Sequence, residues 1–375
     1  MSPAAAGRNP HIDFLRGVSI FCVLFLHFTL AYRFTASPLA VVFSRAQLET
    51  IFFNGNFGVT MFFVISGYLI TANSLARWGE PRNVDWRAFY VLRLARIMPC
   101  LVAVLAIIVT LGLLGVPNFT NTRGGHDFPA SFFLIAVASV LSFWHNVLME
   151  SVGYFNYCLN IYWSLSVEEV FYLALPIVFL TVRRISLISI LCLALIAYGP
   201  IYRGRHADDE LYFMYGYFAC FDAIAFGCLT AILARKVSPS PRSSLALRVT
   251  AGLVMAIVYF RGIDGHEVFG FSLLALGTAA YLLGSAHIGS SNGALWRAGR
   301  VVRWMGRHSY ECYLFHIVVL ALMRNVVAPG HLGYAAWLPW MALFLVSTGV
   351  VAALVSRVIS DPANAAIRHW YWRKR

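Results

Sequence analysis

The sequence predicts an all-α polytopic membrane protein, and three observations predict it. Of 375 residues, 60% are hydrophobic and only 12% are charged, against about a quarter charged in ordinary soluble domains. Long apolar runs recur at short intervals from one end of the chain to the other. The basic residues fall in the short loops between those runs, the pattern that sets orientation in a bilayer. No soluble stretch is long enough for a second domain, so a single transmembrane domain is expected over 1–375.

Hydropathy gives eleven candidate spans, at about 12–33, 53–75, 97–115, 131–147, 162–182, 185–202, 212–234, 246–260, 269–287, 308–328 and 335–356. A full span needs about 20 residues, which leaves 131–147 and 246–260 short. The first run lacks an A-x-A-like cleavage site and is followed by many more spans. It therefore reads as a retained helix rather than a signal peptide.

Charge arbitrates the number of crossings. If 131–147 does not cross and the N-terminus is inside, the cytoplasmic groups are Arg8 and Arg16; Arg77, Arg82, Arg87, Arg93 and Arg96; Arg183 and Arg184. They continue with Arg235, Lys236, Arg242 and Arg248; Arg297, Arg300, Arg303 and Arg307; and Arg357, Arg368, Arg373, Lys374 and Arg375. That is 22 of the 29 basic residues, while Asp127, Asp208, Asp209, Glu210, Asp264 and Glu267 fall outside. If 131–147 crossed, every later cluster would change sides. About ten spans with both termini cytoplasmic is the expectation, with 131–147 lying on the outer surface or dipping in and returning. No internal repeat is visible, which disfavours the inverted-repeat plan of many transporters.

The net charge of +13 is spent on these loops, so no nucleic acid is expected as a partner. The partner is the lipid bilayer. The seven cysteines are scattered and form no CxxC pair, which points to neither a disulfide framework nor a zinc site.

Polar residues inside the apolar runs are the functional candidates, because intramembrane ionisable groups are rare and tend to face a cavity. In HIDFLRGVSIFCVLFLHF, Arg16 and His27 stand eleven residues apart. That is close to three turns, so both lie on one helix face about 16 Å apart along the axis. Asp13 shares the Arg16 neighbourhood. For Arg16 the bland reading is a snorkelling, orientation-setting arginine; for His27 it is a histidine satisfied by a neighbouring helix. In NGNFGVTMFFVISGYLI, Gly55, Gly58, Ser66 and Gly67 permit close helix approach or irregular backbone beside a cavity. In RAFYVLRLARIMP, Arg93 and Arg96 are i and i+3 at the cytoplasmic mouth of the third span. Such a fork suits phosphate, although lipid headgroups would also suit it. Pro99 is expected early in that span, where a lost backbone donor matters least.

YWSLSVEEVFYL carries Trp163, Glu168 and Glu169; adjacent carboxylates in an apolar run are costly unless paired or neutral. GRHSYECYLFHIVV carries His308, Tyr310, Glu311, Tyr313 and His316. Their spacing forms no metal-ligand face, and Tyr313 reads as an interfacial belt residue. No HExxH, P-loop, GxSxG or Rossmann glycine run is present, so no metal, nucleotide or serine-hydrolase chemistry is indicated.

Taken in order, these segments resemble the acyltransferase 3 family, membrane enzymes that acylate extracytoplasmic glycans and some small molecules. The resemblance rests on Arg16-x10-His27, GVTMFFVISGYLI, FYVLRLARIMP, WSLSVEEVFYL, FDAIAFGCLTA around Asp222, SYECYLFH, and a closing helix with SDP. Two departures stand out. Asp361 and Pro362 are adjacent where the family commonly has Glu-x-Pro, so no role is carried onto Asp361. Some relatives also append an esterase-like domain, whereas this chain stops at RHWYWRKR, so a separate partner or the membrane domain itself is expected to complete any transfer.

The resemblance implies an acyl-CoA donor, commonly acetyl-CoA, no permanently bound cofactor, and a carbohydrate hydroxyl as acceptor. It also implies the bacterial cytoplasmic (inner) membrane as location, with polysaccharide-assembly proteins as further partners. Arg16, Arg93 and Arg96 would bind the donor's phosphates. His27 would act as base or acyl carrier, with Glu168 orienting the imidazole as a triad member does. Asp13, Ser66, Trp163, Glu169, Tyr310 and His316 are the further candidates. A flippase of a lipid-linked sugar, with His27 and Glu168 as a proton relay, is the competing reading; a non-catalytic scaffold is the third.

Overall fold

The computed structural model of the chain describes residues 8–34, 37–288 and 297–373. Lys374 and Arg375, counted above with the last basic cluster, lie outside the described residues. The helices are α1 (Pro10–Ala31), α2 (Leu39–Val42), α3 (Arg45–Phe52), α4 (Asn56–Trp78), α5 (Trp86–Leu113), α6 (Phe132–Leu141), α7 (His145–Val152), α8 (Trp163–Val182) and α9 (Ile185–Arg205). They continue as α10 (Glu210–Tyr215), α11 (Tyr217–Ala234), α12 (Pro241–Arg261), α13 (Gly270–Ser285), α14 (Arg300–Arg307), α15 (Ser309–Val326), α16 (Trp337–Val355) and α17 (Asp361–Arg373). A π turn at Ser356–Ser360 joins the last two. A two-residue antiparallel ladder, Thr122–Arg123 with His126–Asp127, is the only pairing of strands among the described residues.

Eight helical stretches among the described residues are long and apolar enough to cross a membrane, and the chain is an all-α integral membrane protein. Ten spans were expected. The other two positions are helical as well, but α13 has only 16 residues, and α15 carries Glu311, His316 and Arg324 within 18. Segment 131–147 is broken into α6 and α7 by a turn at Ser142–Trp144, with Phe143 at φ 66°. Ten helical residues reach about 15 Å, half the hydrocarbon thickness, so this segment makes no crossing as a single helix. Pro99 departs from expectation. Helix α5 starts at Trp86, so the proline sits well inside it rather than in its first turns.

Contacts group the chain into two compact units. The first comprises the chain up to Cys22, Asn56–Phe89 and Phe171–Arg307; the second comprises Val23–Gly55, Tyr90–Val170 and the chain from His308 onward. In the first unit α4 and α11 cross with their backbones in contact: a Cβ on Gly67 would strike the Ile224 carbonyl, and one on Gly227 the Val64 carbonyl. Small residues let helices approach this closely where lipid removes the hydrophobic drive for association.

A buried ion pair ties α9 to α11 and α13 in this unit. Arg203 is fully buried, although the charge pattern left it among the outside basic residues. Its Nη2 donates to Asp222 Oδ2 at 2.7 Å, Nη1 to Oδ1 at 3.2 Å, and Nε to the Val268 carbonyl at 3.0 Å; Nη1 also donates to the Ala219 carbonyl. Ser272 Oγ lies 2.5 Å from both Arg203 Nη2 and Asp222 Oδ2. With every polar edge occupied, the pair survives burial that would otherwise neutralise it.

In the second unit α15 packs on α16, and side-chain hydrogen bonds to backbone carbonyls tie α15 to α5 and to the start of α8, and α16 to the close of α1. Tyr162 Oη donates to the Leu314 carbonyl at 3.0 Å, and Tyr310 Oη to the Ile97 carbonyl at 2.8 Å. At the other end of α15, Asn325 Nδ2 donates to the Pro117 carbonyl at 3.0 Å, and Asn118 Nδ2 to Asn325 Oδ1 at 2.6 Å. Helices α5 and α15 thus run parallel, the start of α15 beside the middle of α5 and their ends together. The close of α1 is fixed by Trp337 Nε1, which donates to the Tyr32 carbonyl at 3.1 Å, and by Phe28 packed on Trp337 and Phe344.

Removing one partner of the Arg203–Asp222 pair strands a buried charge. We expect Arg203→Met to destabilise the detergent-solubilised protein by about 3–5 kcal/mol, read from its thermal unfolding. Arg203→Met with Asp222→Leu should regain most of that loss. A double variant no more stable than the single would show that the two groups are not coupled.

Candidate active site

The second unit gathers most of the polar candidates. His27 on α1 packs against His316 on α15, with ring centroids 5.0 Å apart and planes inclined by 49°. Both neighbours of His316 Nδ1 are carbonyl oxygens, Tyr313 at 2.7 Å and Cys312 at 3.2 Å. Carbonyls accept only, so Nδ1 carries the proton and the neutral ring keeps its lone pair on Nε2. That nitrogen is sealed from solvent and has no hydrogen-bond partner. The pair therefore offers an unused acceptor next to the His27 ring.

Glu168 was expected to orient His27. The ring that the structure shows packed against His27 is that of His316. The reason is helix register. Tyr162 and Ser164, at the start of α8, meet Leu314 and Tyr313, and α8 then runs antiparallel to α15, carrying the glutamates toward Tyr310. Glu169 is buried with Oε1 unpartnered, and Arg93 on α5 is the cation that bears on it. Arg93 is half-buried and Arg96, one turn on, is exposed. Trp163 is buried at the head of α8.

Other candidates are absorbed by packing. Tyr313 Oη lies 2.6 Å from Ser164 Oγ and donates to the Ile161 carbonyl at 2.9 Å, so it joins two helices rather than lying in an interfacial belt. Glu311 accepts from Ser360 Oγ at 2.7 Å and pins the π turn. Ser166 Oγ accepts the His145 backbone N–H at 3.0 Å, which clips α7 to the helix of the glutamates.

Three candidates belong to the first unit. Ser66 Oγ bonds Tyr172 Oη on α8. Asp13 is buried and pairs with Arg8, whose Nε lies 2.9 and 2.8 Å from its two oxygens; the expected neighbour was Arg16. Arg16 is half-buried on the stretch of α1 where Gly17 meets the Val302 carbonyl and Gly306 of α14 meets the Asp13 carbonyl. Arg16 and His27 share one unbroken helix, as their spacing required.

Ordered by α15, the second unit has a graded layout. Tyr310 marks the level of Ile97, one residue beyond Arg96. His316 follows six residues later, about 9 Å along the axis, with His27 against it. A family model described as an acyltransferase domain matches residues 9–356. The chain belongs to the acyltransferase 3 family. Among curated relatives of this acyltransferase 3 chain, the peptidoglycan O-acetyltransferase OatA of Listeria monocytogenes is 27% identical over 383 residues, covering 94% of this chain and 55% of the relative. The O-acetyltransferase OatA of Staphylococcus aureus strain NCTC 8325 is 24% identical over 341 residues, covering 84% and 54%. The chain spans about half the length of these relatives. No solved structure matches it.

The Arg93–Glu169 link is open to a direct check. Arg93→Gln and Glu169→Gln should be non-additive in thermal unfolding, with a coupling on the order of 0.5–3 kcal/mol. Additive losses would separate the two residues.

Proposed function

We propose that this chain is a bacterial inner-membrane O-acyltransferase that moves an acyl group, acetyl by preference, from acyl-CoA to a sugar hydroxyl of a surface glycan. The observation that carries the reading is the His27–His316 pair, about 10–15 Å along the helix axes from the level of the Arg93–Arg96 fork. Guanidinium groups suit the phosphates of CoA, and the positive-inside pattern puts that mouth on the cytoplasmic side.

The chemistry needs a proton acceptor at the reacting carbon. With His27 as base, the sugar oxygen loses its proton to the imidazole and adds to the thioester carbonyl; collapse of the tetrahedral adduct expels the CoA thiolate, which takes the proton back. With His27 as acyl carrier, its nitrogen displaces CoA first and the sugar hydroxyl then cleaves the acyl-imidazole. In either route His27 passes through a cationic state. The unpaired Nε2 of His316 suits a hydrogen bond to that cation, the role the sequence had given to Glu168. His316 is thus a positioning residue. The names of the relatives support acetyl as the acyl group and a cell-wall glycan as the acceptor class.

Base-labile O-acyl groups on surface glycans, measured by mass spectrometry at matched protein levels, test the reading. We expect them in cells with the wild-type protein and not with His27→Ala. Identical glycans in both strains would refute it. With purified protein, Arg93→Gln/Arg96→Gln should raise KM for acetyl-CoA at least tenfold with a smaller change in kcat. His316→Phe should instead lower kcat by about 10²-fold and leave that KM alone; the opposite split would exchange the two assignments.

A further inference from the structure

The second unit also holds a half-buried arginine with no carboxylate partner among the described residues. Arg324 lies eight residues beyond His316 on α15, about 12 Å along the axis. It sits toward the end where Asn325 meets Pro117 and Asn118, away from Tyr310 and Ile97. Its Cζ stands 4.3 Å over the Tyr157 ring. Its Nε is sealed from solvent and makes no hydrogen bond. Among the described residues no carboxylate pairs with it; the groups bearing on it are Tyr32, Tyr157 and Cys158. A partly desolvated guanidinium without an anion is costly to keep in a membrane protein, and such groups mark ligand paths.

The surroundings are polar as well. Tyr157 Oη and Trp340 Nε1 are likewise sealed from solvent; Arg324 is the hydrogen-bond neighbour of the Tyr157 hydroxyl, and Trp340 that of the Tyr32 hydroxyl. An N–H of arginine, an O–H of tyrosine and an N–H of tryptophan thus lie in one cluster where no carboxylate among the described residues pairs with the arginine. Tyr157 is held in place. The Asn156 side chain accepts the N–H groups of Cys158 and Leu159, each at 2.9 Å, and donates to the Phe119 carbonyl at 3.0 Å and to Asn121 Oδ1 at 2.7 Å. The exposed amides of Asn118 and Asn325, joined at 2.6 Å, give a polar rim. Aromatic faces with fixed donors and an arginine suit a saccharide carrying a carboxylate: the rings cover its apolar face and the guanidinium takes its charge.

We propose that Arg324, Tyr157 and Trp340 form the acceptor site, and that the acceptor is an acidic saccharide whose carboxylate pairs with Arg324. The assignment of this site to the acceptor rests on the acyl-transfer reading, since it lies beyond the His27–His316 pair from the donor arginines. A phospholipid phosphate is the other source of an anion. The sealed Nε favours the saccharide, because headgroups pair with guanidinium edges that face outward.

The test uses the full chain in nanodiscs of phosphatidylcholine, without acyl-CoA. Calorimetry compares a glucuronic-acid tetrasaccharide with its carboxyl-reduced counterpart, and release of CoA from acetyl-CoA is measured separately. We expect the acidic form to bind at least tenfold tighter. Arg324→Gln should erase that preference, Arg324→Lys should keep part of it, and Tyr157→Phe should weaken both saccharides alike. The lysine variant keeps the charge, so it carries the test even where the glutamine variant unfolds. Equal binding of the two saccharides by the wild type overturns the proposal. So does a stabilisation by added phosphatidylglycerol that Arg324→Gln removes while neither saccharide binds. Discrimination without CoA release would instead overturn the acyl-transfer reading and leave an acidic-saccharide site standing.

Discussion

The hydrogen bonds that neighbouring side chains send to the carbonyls of α5, α8 and α15 fix the rest of the second unit. A phenol or amide inside an apolar medium has no water to satisfy it, and a free carbonyl there is equally costly. Each such bond therefore holds two helices at one register. Tyr310 on Ile97 sets α15 against α5 at one end, and Asn325 on Pro117 sets it at the other. Tyr162 on Leu314 and Tyr313 on Ile161 set α15 against α8 between them. A slip of one residue would break all of these bonds together and carry His316 about 100° around its axis, away from His27.

That register also explains the state of the two imidazoles. Tyr313 is held at its hydroxyl by Ile161, and its own carbonyl takes the Nδ1 proton of His316. One residue thus couples helix packing to the tautomer of a buried ring. The lone pair on Nε2 follows from the same bond, since a neutral imidazole has only one proton to place. The surroundings of His27 thus depend on packing at Ile161 and Tyr313, on helices other than its own.

The helices were legible because apolar run length and loop charge are local signals. Segment 131–147 was expected not to cross because of its effect on every later basic cluster, and it folds as the two short helices α6 and α7 rather than one. Residues on one helix could also be placed: Arg16 and His27 share α1 as their spacing required. What the spacing does not contain is register between helices. Glu168 was expected beside His27 and His316 was only a further candidate; it is the bonds from Tyr162 and Tyr313 that set the level of His316 on α15. Asp13 likewise has Arg8 as a partner, which the spacing of Asp13 and Arg16 did not indicate. Arg203 and Arg324 were passed over as outer basic residues, although each sits within or at the close of an apolar helix, which was the available signal.

Those two arginines show how one residue type serves opposite ends. Arg203 is saturated: Asp222, Ser272 and two carbonyls use its donors, and nothing remains for a ligand. Arg324 is deficient, stacked on Tyr157 with an unused edge and no anion. Burial is paid for internally in the first case, so the pair locks α9, α11 and α13. In the second no carboxylate among the described residues supplies the compensating charge. Arg203 therefore holds helices together and leaves nothing to bind, whereas Arg324, about 12 Å along α15 from His316 and on the side away from Arg93 and Arg96, keeps a sealed Nε that no side chain of the described residues occupies.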